Sequence, residues 1–163
     1  MNKKKIQYTL CNYKYYKDEI YSCKEQLEEL EQLDGVGAVR FDTVGGTGTG
    51  SKVERCVLLR EKKRDILNYR IERLTVRLSK IDRILDTLPP LHAQVLKYRY
   101  IEGMSDIETR KYLSMPAREY RTVHDMALIW FGRDYDYAGG LARDEDEEEQ
   151  EQNLERELKQ LIV

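Results

Sequence analysis

From Tyr13 to Leu33 the apolar positions are Tyr13, Tyr16, Ile20, Cys23, Leu27 and Leu30, in steps of three and four, with Glu and Lys on the flanks. That spacing is a heptad seam, the mark of a helix that buries one narrow stripe. A second seam, Leu67, Ile71, Leu74, Leu78, Ile81, Leu85 and Leu88, predicts a longer helix over about Lys52 to Asp86. Residues 34–51 between the seams carry most of the glycines and break the periodicity. Two heptad helices joined by one loop predict an antiparallel helical hairpin, or the same helices paired across a dimer. Periodicity serves both arrangements equally.

Pro89-Pro90 ends the second helix, since neither ring can continue it. A short helix is predicted over Leu91 to Glu102, stopped by Gly103 as a left-handed cap. Ser105-Asp106-Ile107-Glu108 then reads as a capping box, opening a helix that ends near Leu113. A Ser114-Met115 turn leads to Pro116, a residue tolerated at a helix start because its missing N–H costs little. The last helix of this group places Tyr120, Val123, Ala127 and Trp130 on one face and Arg118, Arg121, Thr122 and Asp125 on the other. Residues 132–147 read as linker, and 148–161 as a charged helix with Leu154, Leu158 and Leu161 in register. The expected fold is all-α: a long, coiled-coil-like N-terminal hairpin over 1–87, a helical DNA-binding unit over 88–135, and an acidic tail over 136–163.

The chain has 163 residues, a length for one domain or one small domain with an elongated extension. It lacks the ~18-residue apolar run a membrane span needs, so no membrane partner is expected. The basic N-terminus, MNKKKIQYTL, lacks the apolar stretch of a signal peptide, and Cys11, Cys23 and Cys56 form no CxxC pair. These features point to reduced thiols in the cytoplasm. Near-neutral net charge, −2 overall, hides a division. Asp144 to Val163 hold nine acidic side chains against Arg156 and Lys159, whereas Lys52 to Arg83 hold 11 basic against 5 acidic residues. Such a chain can attract a polyanion and carry a tethered competitor for it, unless the tail is merely a solvated segment.

Candidate chemistry is sparse. Gly45-Gly-Thr-Gly-Thr-Gly50-Ser51-Lys52 has the wrong Ser-Lys order for a phosphate loop and follows a heptad helix instead of a strand, so it reads as a connector. His92 and His124 lie on different helices without ligands at metal spacing, and no nucleophile–base grouping is present. No cofactor, metal or enzyme activity is expected. Twelve tyrosines could stack on single-stranded bases, but Tyr13 and Tyr16 fall on the seam, which favours packing.

The strongest constellation is residues 88–131: short helices, a tight turn and a basic outer face, the layout of a helix-turn-helix. Exposed Arg can fork onto guanine, and Lys and Arg neutralise phosphates, which singles out Arg118, Arg121, Thr122, Asp125, Lys111 and Arg110 as DNA-binding candidates.

Leu88-Pro89, Val95-Leu96, Arg99-Tyr100-Ile101, Glu102-Gly103-Met104-Ser105 and the Leu113-Ser114-Met115 turn resemble region 4 of bacterial sigma factors, with Tyr120, Val123, Ala127 and Leu128 on the recognition helix. With its helical N-terminal half, the chain up to about residue 135 resembles the phage-encoded RinA/ArpU/LtrC-type late-gene activators. The resemblance implies a transcription activator of packaging and morphogenesis genes. Its implied partners are double-stranded promoter DNA and host RNA polymerase, with a homodimer and an inhibitory protein as further partners. Two positions depart from the pattern. Thr109-Arg110 stands where an aliphatic residue and Ala are usual, so Arg110 is expected to snorkel outward or open the helix crossing. Pro116 replaces the usual Ser or Thr cap. Two other classes remain open: a small-terminase-like packaging protein, and a protein-interaction adaptor with a degenerate motif.

Overall fold

A computed structural model describes residues 2–37, 50–137 and 139–162. Every regular element among them is helical: α1 (Lys3–Cys11), α2 (Tyr13–Gly37), α3 (Gly50–Thr87), α4 (Pro90–Leu96), a π-helical turn (Lys97–Ile101), α5 (Asp106–Tyr112), α6 (Ala117–Tyr137) and α7 (Gly140–Ile162). None of these helices is long and apolar enough to cross a membrane. Cys11, Cys23 and Cys56 are all free thiols. Residues 38–49, which hold most of the glycine-rich 34–51 segment, lie outside the described residues.

The helices group into two compact units, which cut across the three consecutive segments read from the sequence. The first combines residues 1–17 with 75–145, and the second combines 18–74 with 146–163.

In the first unit, α1 is an element that the heptad reading passes over. It is a single amphipathic stretch too short to show a repeat. The Asn2 side chain caps it by accepting from the Lys5 N–H, and Ile6, Thr9 and Leu10 are buried. It packs on α6 and on the π-helical turn. Here α2 and α3 run antiparallel, with the Tyr13 hydroxyl donating to Asp82 at 2.6 Å and the Tyr16 ring lying under the Arg77 guanidinium. The seam residues Leu78, Ile81, Leu85 and Leu88 are buried.

Helix α3 ends at Thr87, just before Pro89-Pro90 as predicted, and Pro90 itself opens α4, one residue ahead of the expected start at Leu91. The expected single helix over Leu91 to Glu102 is instead α4 followed by the π-helical turn, closed by the Glu102 N–H donating to the Lys97 carbonyl. Tyr100 lies in that turn and is buried, with its hydroxyl bonded to Gln7 and His124. Gly103 then takes φ +74, the left-handed cap that the sequence calls for.

The linker expected over 132–147 is a correction. Helix α6 continues to Tyr137 and α7 begins at Gly140. Phe131 and Tyr135, one helical turn apart, are both fully buried and extend the apolar face of α6 beyond Trp130. The Tyr135 hydroxyl donates to Asp144 at 2.8 Å, and Asp144 also pairs with Arg77 at 3.0 Å. Gly139 makes the turn at φ +66, and Gly140 lies so close to Tyr135 that a Cβ there would sit 2.5 Å from the Tyr135 carbonyl oxygen. A glycine pair followed by a charge run looks like linker in sequence, but these glycines serve a tight helix–helix corner.

In the second unit, Cys23 and Leu30 of α2 bury against Leu67 of α3, with Leu27 and Ile71 at the margins. The seam is therefore covered within one chain. The acidic tail, read as a separate segment, is the C-terminal part of α7, and its acids engage α3. Arg70 binds Glu151, Glu155 at 2.7 Å and Glu19 of α2 at 3.1 Å, and Arg73 also holds Glu151. Lys62 pairs with Glu157 at 3.1 Å. The Arg55 guanidinium donates twice to the Leu161 carbonyl, placing a cation at the negative end of α7. The basic stretch of α3 and the acidic tail, far apart in sequence, thus neutralise each other along one helix contact.

Candidate functional site

The site is built on α5 and α6 of the first unit. Helix α5 opens with the predicted capping box: the Ser105 side chain accepts from the Glu108 N–H at 3.2 Å, and the Glu108 carboxylate accepts from the Ser105 N–H at 2.7 Å. It ends at Leu113, and Ser114 adopts φ 53, the left-handed conformation that reverses the chain within three residues. The Met115 N–H returns to the Arg110 carbonyl, closing the turn. Val95, Met115 and Tyr120, with Leu113 and Val123, form the small core beneath it.

Tyr120, Ala127 and Leu128 are buried on α6, and Trp130 stacks on His92 with ring centroids 4.7 Å apart. The opposite face carries Arg118, Arg121 and Thr122, all exposed, as the sequence places them. The Thr122 hydroxyl is engaged by its own helix, donating to the Arg118 carbonyl at 3.2 Å. Lys111 on α5 is exposed. The Asp125 carboxylate pairs with Lys3 of α1 at 3.0 Å and contacts His124 Nδ1 at 3.4 Å, with 48% of its side chain exposed. Nothing in the sequence signals that pairing, since the two residues meet only when α1 docks on α6.

Thr109 and Arg110, the departures from the sigma pattern, part ways. Thr109 is fully buried, with its hydroxyl lacking a hydrogen-bond partner. Arg110 turns to the edge of the α5–α6 crossing, half-buried. There it joins Arg121 in lining a cavity of ≈ 260 Å³ with Asp106, Ile107, Ala117, Tyr120 and His124. Arg110, expected to snorkel outward or open the crossing, is partly exposed and lines this cavity.

The acids and rings of that cavity are mutually satisfied. Asp106 accepts from Arg99 at 2.6 Å and from the Tyr120 hydroxyl at 2.9 Å. Burial alone would raise its pKa, but these two hydrogen bonds and the Arg99 charge outweigh it and hold the carboxyl below its usual range. The same contact and burial raise Tyr120. His124 Nε2 meets the Tyr100 hydroxyl at 2.8 Å, and its ring lies between those of Tyr100 and Tyr120. Burial lowers the His124 pKa and keeps the imidazole neutral near pH 7, despite the nearby Asp106 and Asp125. Ile107, Ala117 and His124 are site residues that sequence reasoning missed. Positions 107 and 110 on α5, and 117, 121 and 124 on α6, each share a helix face, but only the packed turn brings those faces together.

No family model matches the chain, and neither a curated protein nor a solved structure matches it. An all-helical protein with a capped short helix, a left-handed turn and a longer helix bearing exposed arginines is therefore what the fold and site define.

Proposed function

We propose that this chain is a DNA-binding transcriptional regulator, an activator of phage late genes that works with host RNA polymerase in the cytoplasm of a bacterial cell. On this reading α5, the Ser114 turn and α6 are a sigma region 4-like helix-turn-helix, with α6 entering the major groove. The antiparallel stretches of α2 and α3 form the helical hairpin that presents it. The observation that carries the reading is the face of α6: Arg118 and Arg121 stand exposed, turned away from the buried Tyr120 and Ala127. Arginines so placed can fork onto guanine O6 and N7 while the helix stays anchored by its apolar side. Lys111 and Arg110 on α5 are suited to backbone phosphates.

The packaging reading is favoured less, because the α2–α3 seam is already filled within one chain by Cys23, Leu27, Leu30, Leu67 and Ile71.

The deciding experiment is a footprint on DNA upstream of late genes, with and without host polymerase, using wild type, Arg118→Ala and Arg121→Ala. A protected site that weakens by ~1–3 kcal/mol per variant, with helicity unchanged, is the expected result. Wild-type affinity in both variants means that α6 does not read the promoter, and no footprint at all leaves a protein-interaction adaptor.

A further inference from the structure

We propose that the cavity between α5 and α6 is a seat for a phosphate group, and that the natural occupant is a small phosphomonoester. The proposal goes beyond DNA recognition, because it requires a discrete pocket and a free ligand.

The electrostatics of the wall lead to this. Of the five ionisable side chains that line the cavity, Asp106 is compensated by Arg99, Tyr120 is held protonated by burial and its bond to Asp106, and His124 is kept neutral by burial. Arg110 and Arg121 enter into no ion pair among the described residues, so the cavity carries two uncompensated positive charges. They come from two different helices, Arg110 from α5 and Arg121 from α6. A carboxylate offers two oxygens in one plane and is held well by one fork. A phosphate dianion offers three oxygens in a tetrahedron and matches two forks and two charges. The hydroxyl of Tyr120 is committed to Asp106 and the Nε2 of His124 to Tyr100, so recognition falls to the arginines.

The remaining wall sets the rest of the ligand. Ile107 and Ala117 are apolar members of the lining, which would cover the carbon skeleton of an ester. A volume of ≈ 260 Å³ lies below the ~300–1,000 Å³ of drug-sized pockets, which suits a phosphate on a small body. Ile107 is among the exposed large hydrophobics of the chain, so an apolar body resting on it removes surface that is otherwise wet.

A phosphate could also come from a nucleic-acid backbone, and the two sources are separable. The uniformly ¹⁵N-labelled full chain is titrated with phenyl phosphate in one arm and with a short duplex of random sequence in the other, following the amides of Ala117, Tyr120 and His124. Wild type is expected to show saturable shifts of these amides with phenyl phosphate. Arg110→Gln and Arg121→Gln should each weaken the binding roughly tenfold or more, whereas Arg133→Gln, an exposed cation of α6 outside the cavity, should not. Both variants replace side chains at least partly exposed, and unchanged circular dichroism verifies that they fold. If only the duplex moves these amides, and the same two variants suppress it, the phosphate chemistry holds and the free phosphomonoester is overturned as its source. Absence of shifts in both arms, or binding equal in wild type and the two variants, overturns the proposal. Neither arm uses promoter DNA, so a failure here is distinct from a failure of the footprint.

Discussion

The two units are held by different forces. Residues 18–74 and 146–163 bury few hydrophobic side chains, namely Cys23, Leu30, Ile66, Leu67 and Leu74 among those described. What fills the remaining contact is charge: Arg70 and Arg73 against Glu19, Glu151 and Glu155. Residues 1–17 and 75–145 instead enclose a broad apolar core, from Ile6 and Leu10 through Leu96 and Leu128 to Phe131 and Tyr135. Its polar groups are mainly tyrosine hydroxyls that find a carboxylate, as Tyr13 finds Asp82, Tyr120 finds Asp106 and Tyr135 finds Asp144. Long helices with a one-stripe seam leave wide flanks, and paired charges can cover flanks. Short helices crossing at angles expose more of their faces to one another and need bulky rings to fill the space.

The largest effect should come from the apolar unit. Phe131→Ala removes a fully buried ring, and the expected loss is ~3–5 kcal/mol in denaturant unfolding, with no change in salt dependence. A loss under ~1 kcal/mol would mean that this core is not what holds the α4–α6 region together.

Glu151→Gln tests the charged unit. It leaves Arg70 and Arg73 partly buried with their shared partner neutralised, although Arg70 retains Glu19 and Glu155. The expected loss is about 2–3 kcal/mol, less than for a fully isolated buried charge. High salt should narrow the gap between variant and wild type only slightly, because the site is shielded from solvent. A variant as stable as wild type would show that packing along the seam suffices.

A smaller effect concerns pH. The His124 pKa is lowered in the folded chain, so the unfolded chain binds the proton more readily. The neutral imidazole's contribution is fully present above the ordinary histidine pKa of 6.5 and is lost as pH falls through the lower folded value. Stability should therefore drop between pH 7 and pH 5 in wild type, and less so in His124→Gln. An NMR titration that places the His124 pKa above 6.5 would reverse the sign and contradict the buried setting.

The smallest change is expected at the solvated edge of the charged unit. Glu157→Gln removes the exposed pair with Lys62, and the shift should be no more than ~0.5 kcal/mol, fading as salt is added. A loss comparable to that of Glu151→Gln would erase the distinction between shielded and solvated pairs on α7.

What local chemistry controls could be read directly. The seams of α2 and α3, the stop at Pro89-Pro90, the Gly103 cap, the Ser105–Glu108 capping box and the buried face of α6 all depend on residues within one or two helical turns of each other. A periodic pattern or a cap carries its own physical cause, so the chain alone determined an all-helical protein and the exposed positions of Arg118 and Arg121. Tertiary structure decided the rest, because the rest is made of meetings. Helix α1 shows no heptad, and only its docking on α6 assigns Ile6 and Leu10 to the core and gives Asp125 its partner Lys3. Gly139-Gly140 reads as a linker until Tyr135 packs against it. The acidic run at 144–157 reads as a free tail until Arg70 and Arg77, more than sixty residues earlier, supply its counter-charges. Charge has no periodicity that names its partner; long-range pairing is set by which helix faces the packing brings together.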